Sequence, residues 1–193
     1  MTPSEFRARQ RHLSAPAASR HPTEACKGTV NADENGKLAA PEVKLVEIAP
    51  LDVLCLRHDG PVATIGQTFR TLMHMLRCEE SSAAMDQRVG ICVRGSAAKG
   101  GFQYHAGIVA GPYATPTDAI EPVRLDGGLY AVHRLVGPYA LISPTFRALY
   151  DGWLPRSGFR RDSRPGLEVY RNPVTHGTQQ TCVTDLMIPL YKD

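Results

Sequence analysis

Gly137–Phe159 reads GPYALISPTFRALYDGWLPRSGF, and an earlier stretch of the chain echoes it. Gly60–Leu72 is GPVATIGQTFRTL, against GPYALISPTFRAL at Gly137–Leu149, with eight of 13 positions identical at a spacing of 77 residues. In the later copy Phe146, Leu149, Tyr150 and Trp153 fall at i, i+3, i+4 and i+7 and so share one helical face. Ser143 is placed to cap that helix, with Pro144 at the first helical position, where a missing N–H is harmless. Pro155 and Gly158 end it. The earlier copy has Phe69, Leu72, Met73 and Leu76 at the same spacing, a helix of about four turns ending near Cys78.

Working outward, the same order of elements surrounds each helix. Val43–Arg57 is a strand region broken at Ala49-Pro50, and Gly60-Pro61 turns the chain into the first helix. Arg88–Arg94 and Phe102–Ala110 are two strands. After a connector, Leu129–Arg134 is a strand, Gly137-Pro138 a turn, and Leu167–Arg171 and Thr181–Tyr191 the closing strands. At the same spacing Arg57 meets Arg134 and Arg94 meets Arg171. A self-match of fixed period carries fold-level information, and two copies imply a pseudo-twofold pair of strand–helix–strand–strand modules, at about 43–111 and 127–193. The expected fold class is α+β: a largely antiparallel sheet with both helices on one face. Its opposite face, and the groove along the pseudo-twofold axis, should be less covered and open to a ligand.

Composition sets the outer bounds. The chain has 193 residues, 42% hydrophobic and 21% charged, as a soluble globular protein would. No apolar run approaches the roughly 20 residues a membrane helix needs, and MTPSEFRARQRH has no signal-like apolar region, so a cytoplasmic protein that does not engage a membrane is expected. A net charge of +3 is too small to argue for nucleic acid, and Arg7, Arg9, Arg11 and Arg20 place much of it in the first 20 residues. The five cysteines, Cys26, Cys55, Cys78, Cys92 and Cys182, are odd in number, widely spaced and free of C-x-x-C, so neither a disulfide framework nor a zinc site is expected. The histidines show no metal-ligand spacing, Ser157 and Ser163 lack a Gly-x-Ser-x-Gly context, and there is no phosphate loop. No cofactor is expected. Residues 1–12 read as a short basic helix and 13–40 as a flexible linker, too poor in apolar residues to repay ordering.

The motifs AGIVAG (Ala106–Gly111), GGLYAVHRLVGPY (Gly127–Tyr139), LYDGWLPRSGF (Leu149–Phe159), LEVYRNP (Leu167–Pro173) and TDLMIPLY (Thr184–Tyr191) resemble, in order, the GyrI-like effector-binding family. These are ligand-sensing domains found alone or fused to AraC-type and MerR-type DNA-binding modules. The resemblance covers about residues 41–193 and implies the same duplicated fold. MTPSEFRARQRH separately resembles the closing segment of an AraC-type DNA-binding domain. That implies DNA contact only through a missing or separate domain.

In TCVTDLMIPLY, Leu186, Ile188 and Leu190 alternate onto one face, so Asp185 and Met187 point to the other, expected to be the open groove. The family resemblance implies a glutamate at the position of Asp185, central to the ligand pocket; this chain has the shorter aspartate. A carboxylate in a partly apolar cleft can pair with a cationic ligand or act as an acid or base. A solvated strand aspartate is the plain alternative. Tyr104, Tyr130, Tyr139, Trp153 and Tyr170 could line the cleft and stack on flat cations, although core packing suits Trp153 equally. The expected function is to bind a hydrophobic, drug-like or cationic aromatic effector for an AraC-type regulator, as a monomer or homodimer. Two further roles follow from the resemblance: hydrolysis of strained, cyclopropane-bearing electrophiles with Asp185 catalytic, and protein binding like the family's gyrase inhibitors.

Overall fold

The structure is a computed structural model that describes residues 41–76, 88–94, 102–109, 119–171 and 182–191. The basic segment 1–12 and the linker 13–40 lie outside the described residues. The main elements among the described residues are β1 (Lys44–Ile48), β2 (Leu51–His58), α1 (Ile65–Met75), β3 (Arg88–Arg94), β4 (Phe102–Val109), β5 (Glu121–Leu125), β6 (Gly128–Val136), α2 (Ile142–Arg147), β7 (Gly166–Tyr170) and β8 (Val183–Pro189). The strands form one sheet in the order β1-β6-β8-β7-β3-β4-β2-β5. Every neighbouring pair is antiparallel.

The 77-residue spacing is visible in the backbone. β1 and β5, the 3-10 turns Val62–Thr64 and Tyr139–Leu141, and the helix starts Ile65 and Ile142 all coincide at that offset. Each module therefore has four strands rather than the three expected. The added leading strands are exchanged: β1 pairs with β6 of the second module, and β5 with β2 of the first. Both are sheet edges, which is why Pro122 is tolerated in β5: its missing N–H interrupts no ladder. The offset fails at the third strand. It would match Gly90 with Leu167, which lie on opposite faces of the sheet, so the Arg94–Arg171 match is not a structural equivalence.

Both helices open through a tight turn, and for α2 this differs from the expectation. Pro61 and Pro138 are extended, and each leads into a 3-10 turn closed by Thr64 N–H to Pro61 O at 2.8 Å and Leu141 N–H to Pro138 O at 3.0 Å. α2 thus starts at Ile142, one residue before Ser143, and no side chain caps it. Pro144 still sits in the first turn, where an amide would have no partner. Beyond Arg147 the helix widens into a π turn, Ala148–Trp153, and tightens into 3-10 at Leu154–Arg156. Gly158, at φ +77°, then turns the chain in a conformation that favours glycine.

The sheet buries both faces. On the helix side Phe69, Leu72 and Met73 of α1 and Leu149 meet Leu54, Ala106, Ala131, Leu186 and Ile188. Each of the leucines, Ile188, Phe69 and Met73 contributes roughly 1.5–3 kcal/mol by leaving water, the alanines less. The far face holds a second cluster, including Val53, Cys55, Val89, Leu167, Val169 and Met187. The expectation of an open far face is therefore corrected: the inward residues of β7 and β8 are buried on both sides.

Candidate functional site

β7 and β3 lie side by side at the middle of the sheet, where the two modules meet. Alternation along β7 sends Leu167 and Val169 to the far face and Glu168 and Tyr170 beneath the helices. Glu168 is buried at this junction. Its Oε2 accepts from the Tyr104 hydroxyl at 2.9 Å and the Tyr170 hydroxyl at 2.5 Å; Oε1 faces the Cys92 thiol at 3.4 Å. The two hydroxyls are themselves 2.9 Å apart. None of these three partners is a cation. Loss of water therefore dominates and raises the Glu168 carboxyl above its usual range, the Tyr170, Tyr104 and Cys92 hydrogen bonds opposing it. Burial likewise lifts the Tyr104 and Tyr170 phenols and the Cys92 thiol well above theirs, and the Glu168 charge adds to it.

Aromatic rings wall this cluster. Phe69 of α1 meets Tyr170 edge-on at 5.2 Å, and Tyr139 meets it edge-on at 5.6 Å. His58 lies edge-on to Tyr104 at 6.2 Å. The Arg88 guanidinium sits 5.5 Å from the Tyr170 ring centre. Tyr139 is 48% exposed, so the stack leads from solvent to the buried carboxylate.

Tyr104, Tyr139 and Tyr170, three of the expected ligand-binding residues, come together here. The others lie elsewhere. Tyr130 is buried on the far face, its ring 4.8 Å from the Arg164 guanidinium, and burial pushes its phenol up to about 12. Met187 is part of the far-face core. Trp153 stacks on Phe159 at 6.5 Å.

Asp185 does point away from the helices, but not into an open groove. It is 3% exposed and already paired. Arg134 grips it with two bonds, Nε to Oδ1 at 2.7 Å and a terminal nitrogen to Oδ2 at 3.0 Å, and Arg171 Nε reaches Oδ2 at 2.8 Å. Burial would raise its carboxyl, but the two guanidiniums outweigh that and hold it below the usual carboxylate range. A carboxylate so matched has little left for a cationic ligand.

Glu168 is the residue the sequence reading passed over. Its signal was present in LEVYRNP: one carboxylate in a strand otherwise apolar on both faces. A polar depression of about 310 Å³ also lies between the end of β2 and α1, lined by Arg57, His58, Asp59 and Thr68 among others. It is wide open, and Asp59 there is paired with Arg57 at 2.9 Å, so it offers a ligand little enclosure.

Two modules joined along one antiparallel sheet, with a carboxylate buried under their helices, define a duplicated α+β fold of the effector-binding kind. The chain belongs to the GyrI-like family, described as a GyrI-like small molecule binding domain, whose model matches residues 41–191. Over 84 residues it is 36% identical to the probable transcriptional regulator YgiV of Escherichia coli K12, covering 44% of this chain and 52% of YgiV. The chain thus spans about half the length of the curated relatives it matches.

Solved structures share the fold at low identity. EcmrR in its DNA complex matches with a TM-score of 0.64 at 12% identity, covering 80% of this chain and 59% of that one. SAV2435 bound to tetraphenylphosphonium matches at 0.56 and 14%, covering 78% and 94%. A hydrolase from Listeria innocua matches at 0.51 and 12%, covering 78% and 92%. Among the described residues no helix is long and apolar enough to cross a membrane.

Proposed function

We propose that this chain is the effector-sensing part of an AraC-type transcriptional regulator and that it binds hydrophobic, cationic aromatic compounds between Tyr139 and Glu168. The observation that carries the binding reading is Glu168: a buried carboxylate whose protein partners are two phenols and a thiol, none of them positive. An apolar cation entering there supplies the missing charge in a low-dielectric setting, where the pairing counts for most. Tyr139, Tyr170 and Phe69 offer ring faces and edges to its aromatic groups. The regulator reading draws support from the similarity to YgiV and from the first dozen residues, MTPSEFRARQRH.

Tetraphenylphosphonium, the compound bound in SAV2435, is a suitable first probe. Calorimetry should show saturable binding to this chain, lost in Glu168→Gln and kept in Asp185→Asn. Binding that survives Glu168→Gln at full strength would sink the site assignment.

One observation favours a second reading. A carboxyl in contact with two phenols is an acid–base arrangement, able to activate a water against an electrophile. Incubation with a cyclopropane-bearing electrophile and mass spectrometry for the water adduct tests it. Turnover abolished by Glu168→Gln would place hydrolysis ahead of sensing.

A further inference from the structure

Glu168, Tyr104 and Tyr170 make three close oxygen–oxygen contacts: Tyr104 to Oε2 at 2.9 Å, Tyr170 to Oε2 at 2.5 Å, and Tyr104 to Tyr170 at 2.9 Å. Each contact at such a distance needs a proton between its oxygens. Two phenols supply two. With Glu168 ionised, both phenols donate to Oε2, and their own 2.9 Å contact is left as two lone pairs facing each other. With Glu168 protonated there are three protons for three contacts. The carboxylic acid then donates to one phenol, that phenol to the other, and the second phenol back to Oε2. The ring closes, and it does so in a buried place where an unmatched charge is costly.

We infer that the ligand-free protein holds a proton on this Glu168–Tyr104–Tyr170 ring, and that a cationic ligand binding at the site releases it. The inference rests on the cation-binding reading above and adds a stoichiometry: the site exchanges a proton for a cation. The balance is simple. The neutral Glu168 acid and the cation L⁺ become the Glu168 carboxylate paired with L⁺, and H⁺ leaves to buffer. The ligand's charge replaces the proton's, so the buried site stays neutral throughout, and both phenols can then turn to the carboxylate.

The groups around Glu168 are compatible with this. β3 contributes Cys92 at Oε1 and Arg88, which lies over the Tyr170 ring. β4 contributes Tyr104 and β7 Tyr170. Beyond these, β2 sets His58 edge-on to Tyr104, the turn before α2 sets Tyr139 against Tyr170 with Cys182 beside it, and α1 contributes the apolar Phe69. Of these, only Arg88 and His58 can carry positive charge, and both meet a tyrosine ring of the cluster. Gly90 also serves the ring: a Cβ there would collide with the Tyr104 hydroxyl, so glycine lets that side chain cross β3 to reach Glu168.

Two measurements test the inference. The first follows the Glu168 side-chain carbon of the ligand-free protein by carbon-13 NMR against pH. It should report a protonated acid well above the ordinary glutamate range of about 4.3, and Tyr104→Phe, which opens the ring, should change its midpoint. An ordinary midpoint would overturn the inference, whatever binds. The second is calorimetry with tetraphenylphosphonium, which carries no proton of its own, in two buffers of different ionisation enthalpy. At a pH below the NMR midpoint, about one proton should be released per cation bound. Tight binding with no proton release there would also overturn the inference. A protonated Glu168 with no tetraphenylphosphonium binding would support the ring and count against the cation reading, so the two failures are distinct.

Discussion

Gly90 lies directly opposite Glu168 in the pairing of β3 with β7, at the centre of the sheet. Tyr104 stands on β4, on the other side of β3, and its hydroxyl nevertheless bonds Glu168. Neighbouring strands are about 4.8 Å apart, so the tyrosine must pass over β3. It passes at the one position of that strand with no side chain. Gly90→Ala should therefore cost about 1–3 kcal/mol, the usual range for overpacking a buried site. In a Tyr104→Phe background the colliding oxygen is gone but the ring carbon 2.7 Å from that Cβ remains, so part of that loss should disappear. Urea denaturation of the four proteins in this cycle measures the coupling; equal costs in both backgrounds would show that Gly90 matters for some other reason.

Glu168 should make the ligand-free protein less stable at neutral pH than it could be. Its folded-state pKa is raised, so the ionised form is the disfavoured one. The penalty is fully present above the raised folded value, shrinks as pH falls through it, and vanishes below the unfolded value of about 4.3. Glu168→Gln should therefore melt higher than the parent near pH 8, and the gap should narrow as the solution is acidified. Thermal melts at several pH values decide this; a gap independent of pH would mean that Glu168 does not titrate in that range.

Asp185 should behave in the opposite sense. Its pKa is depressed by Arg134 and Arg171, so its contribution is present above the unfolded value of about 3.9 and is lost as pH falls through the folded value. Breaking a buried pair can cost 3–5 kcal/mol, but Arg134 is 55% exposed and can rehydrate, so about 1–3 kcal/mol is expected for Asp185→Asn at neutral pH. Tetraphenylphosphonium affinity should not change. Chemical denaturation beside calorimetry separates the two effects, and a large loss of affinity without loss of stability would return Asp185 to the binding site.

The contrast between these two carboxylates shows what the sequence could reveal. Period-two alternation placed Asp185 on the correct face of β8, away from the helices. Alternation cannot say whether a face is open, and it did not reveal that Arg134, on the neighbouring strand β6, stands opposite Asp185 in register. The duplicated helix was legible because a 77-residue self-match survives in its turns and apolar positions. Of the leading strands, β1 lies within the strand region Val43–Arg57 and its break at Ala49-Pro50, whereas β5 falls in the connector, and nothing local marks that each pairs with the other module. Tyr104, Tyr139 and Tyr170 stand out in the sequence as aromatics in or beside the module elements, and the structure brings these three together. Glu168 stayed hidden because Leu167–Arg171 reads from sequence only as a closing strand and a family motif, and a buried carboxylate becomes conspicuous only when its neighbours are known.

Arg164 is a test of how the second module is held together. It is 12% exposed and donates to three backbone carbonyls, Gly127 at 2.8 Å, Leu129 at 3.1 Å and Leu190 at 2.9 Å, while pairing with Asp162 at 3.0 Å. These contacts tie the start of β6 to the end of β8. Arg164→Ala takes this donor from the part-buried carbonyls of Gly127 and Leu190, while Leu129 keeps the Leu190 N–H at 3.0 Å, so a loss of about 1–3 kcal/mol is expected. Arg164→Lys should recover little, because a single ammonium cannot reproduce the planar fork. Denaturant midpoints of the two variants check this; full recovery by lysine would show that charge alone suffices.

Tyr139 should set affinity without setting stability. Its ring is nearly half exposed and leans edge-on against Tyr170, so it covers the approach to Glu168 without belonging to the buried core. A ring beside a cation contributes roughly 0.5–2 kcal/mol, depending on how fully the pair is desolvated. Tyr139→Ala should therefore weaken tetraphenylphosphonium binding by roughly 2- to 30-fold, the same interval expressed as a ratio. Its melting temperature should move little, since a side chain this exposed buries little area. Tyr139→Phe keeps the ring and should keep most of the affinity, which distinguishes the ring from the hydroxyl that Cys182 and Arg88 adjoin. If phenylalanine binds as poorly as alanine, the hydroxyl is the group that matters, and the ligand is held there by a polar contact rather than by the face of the ring.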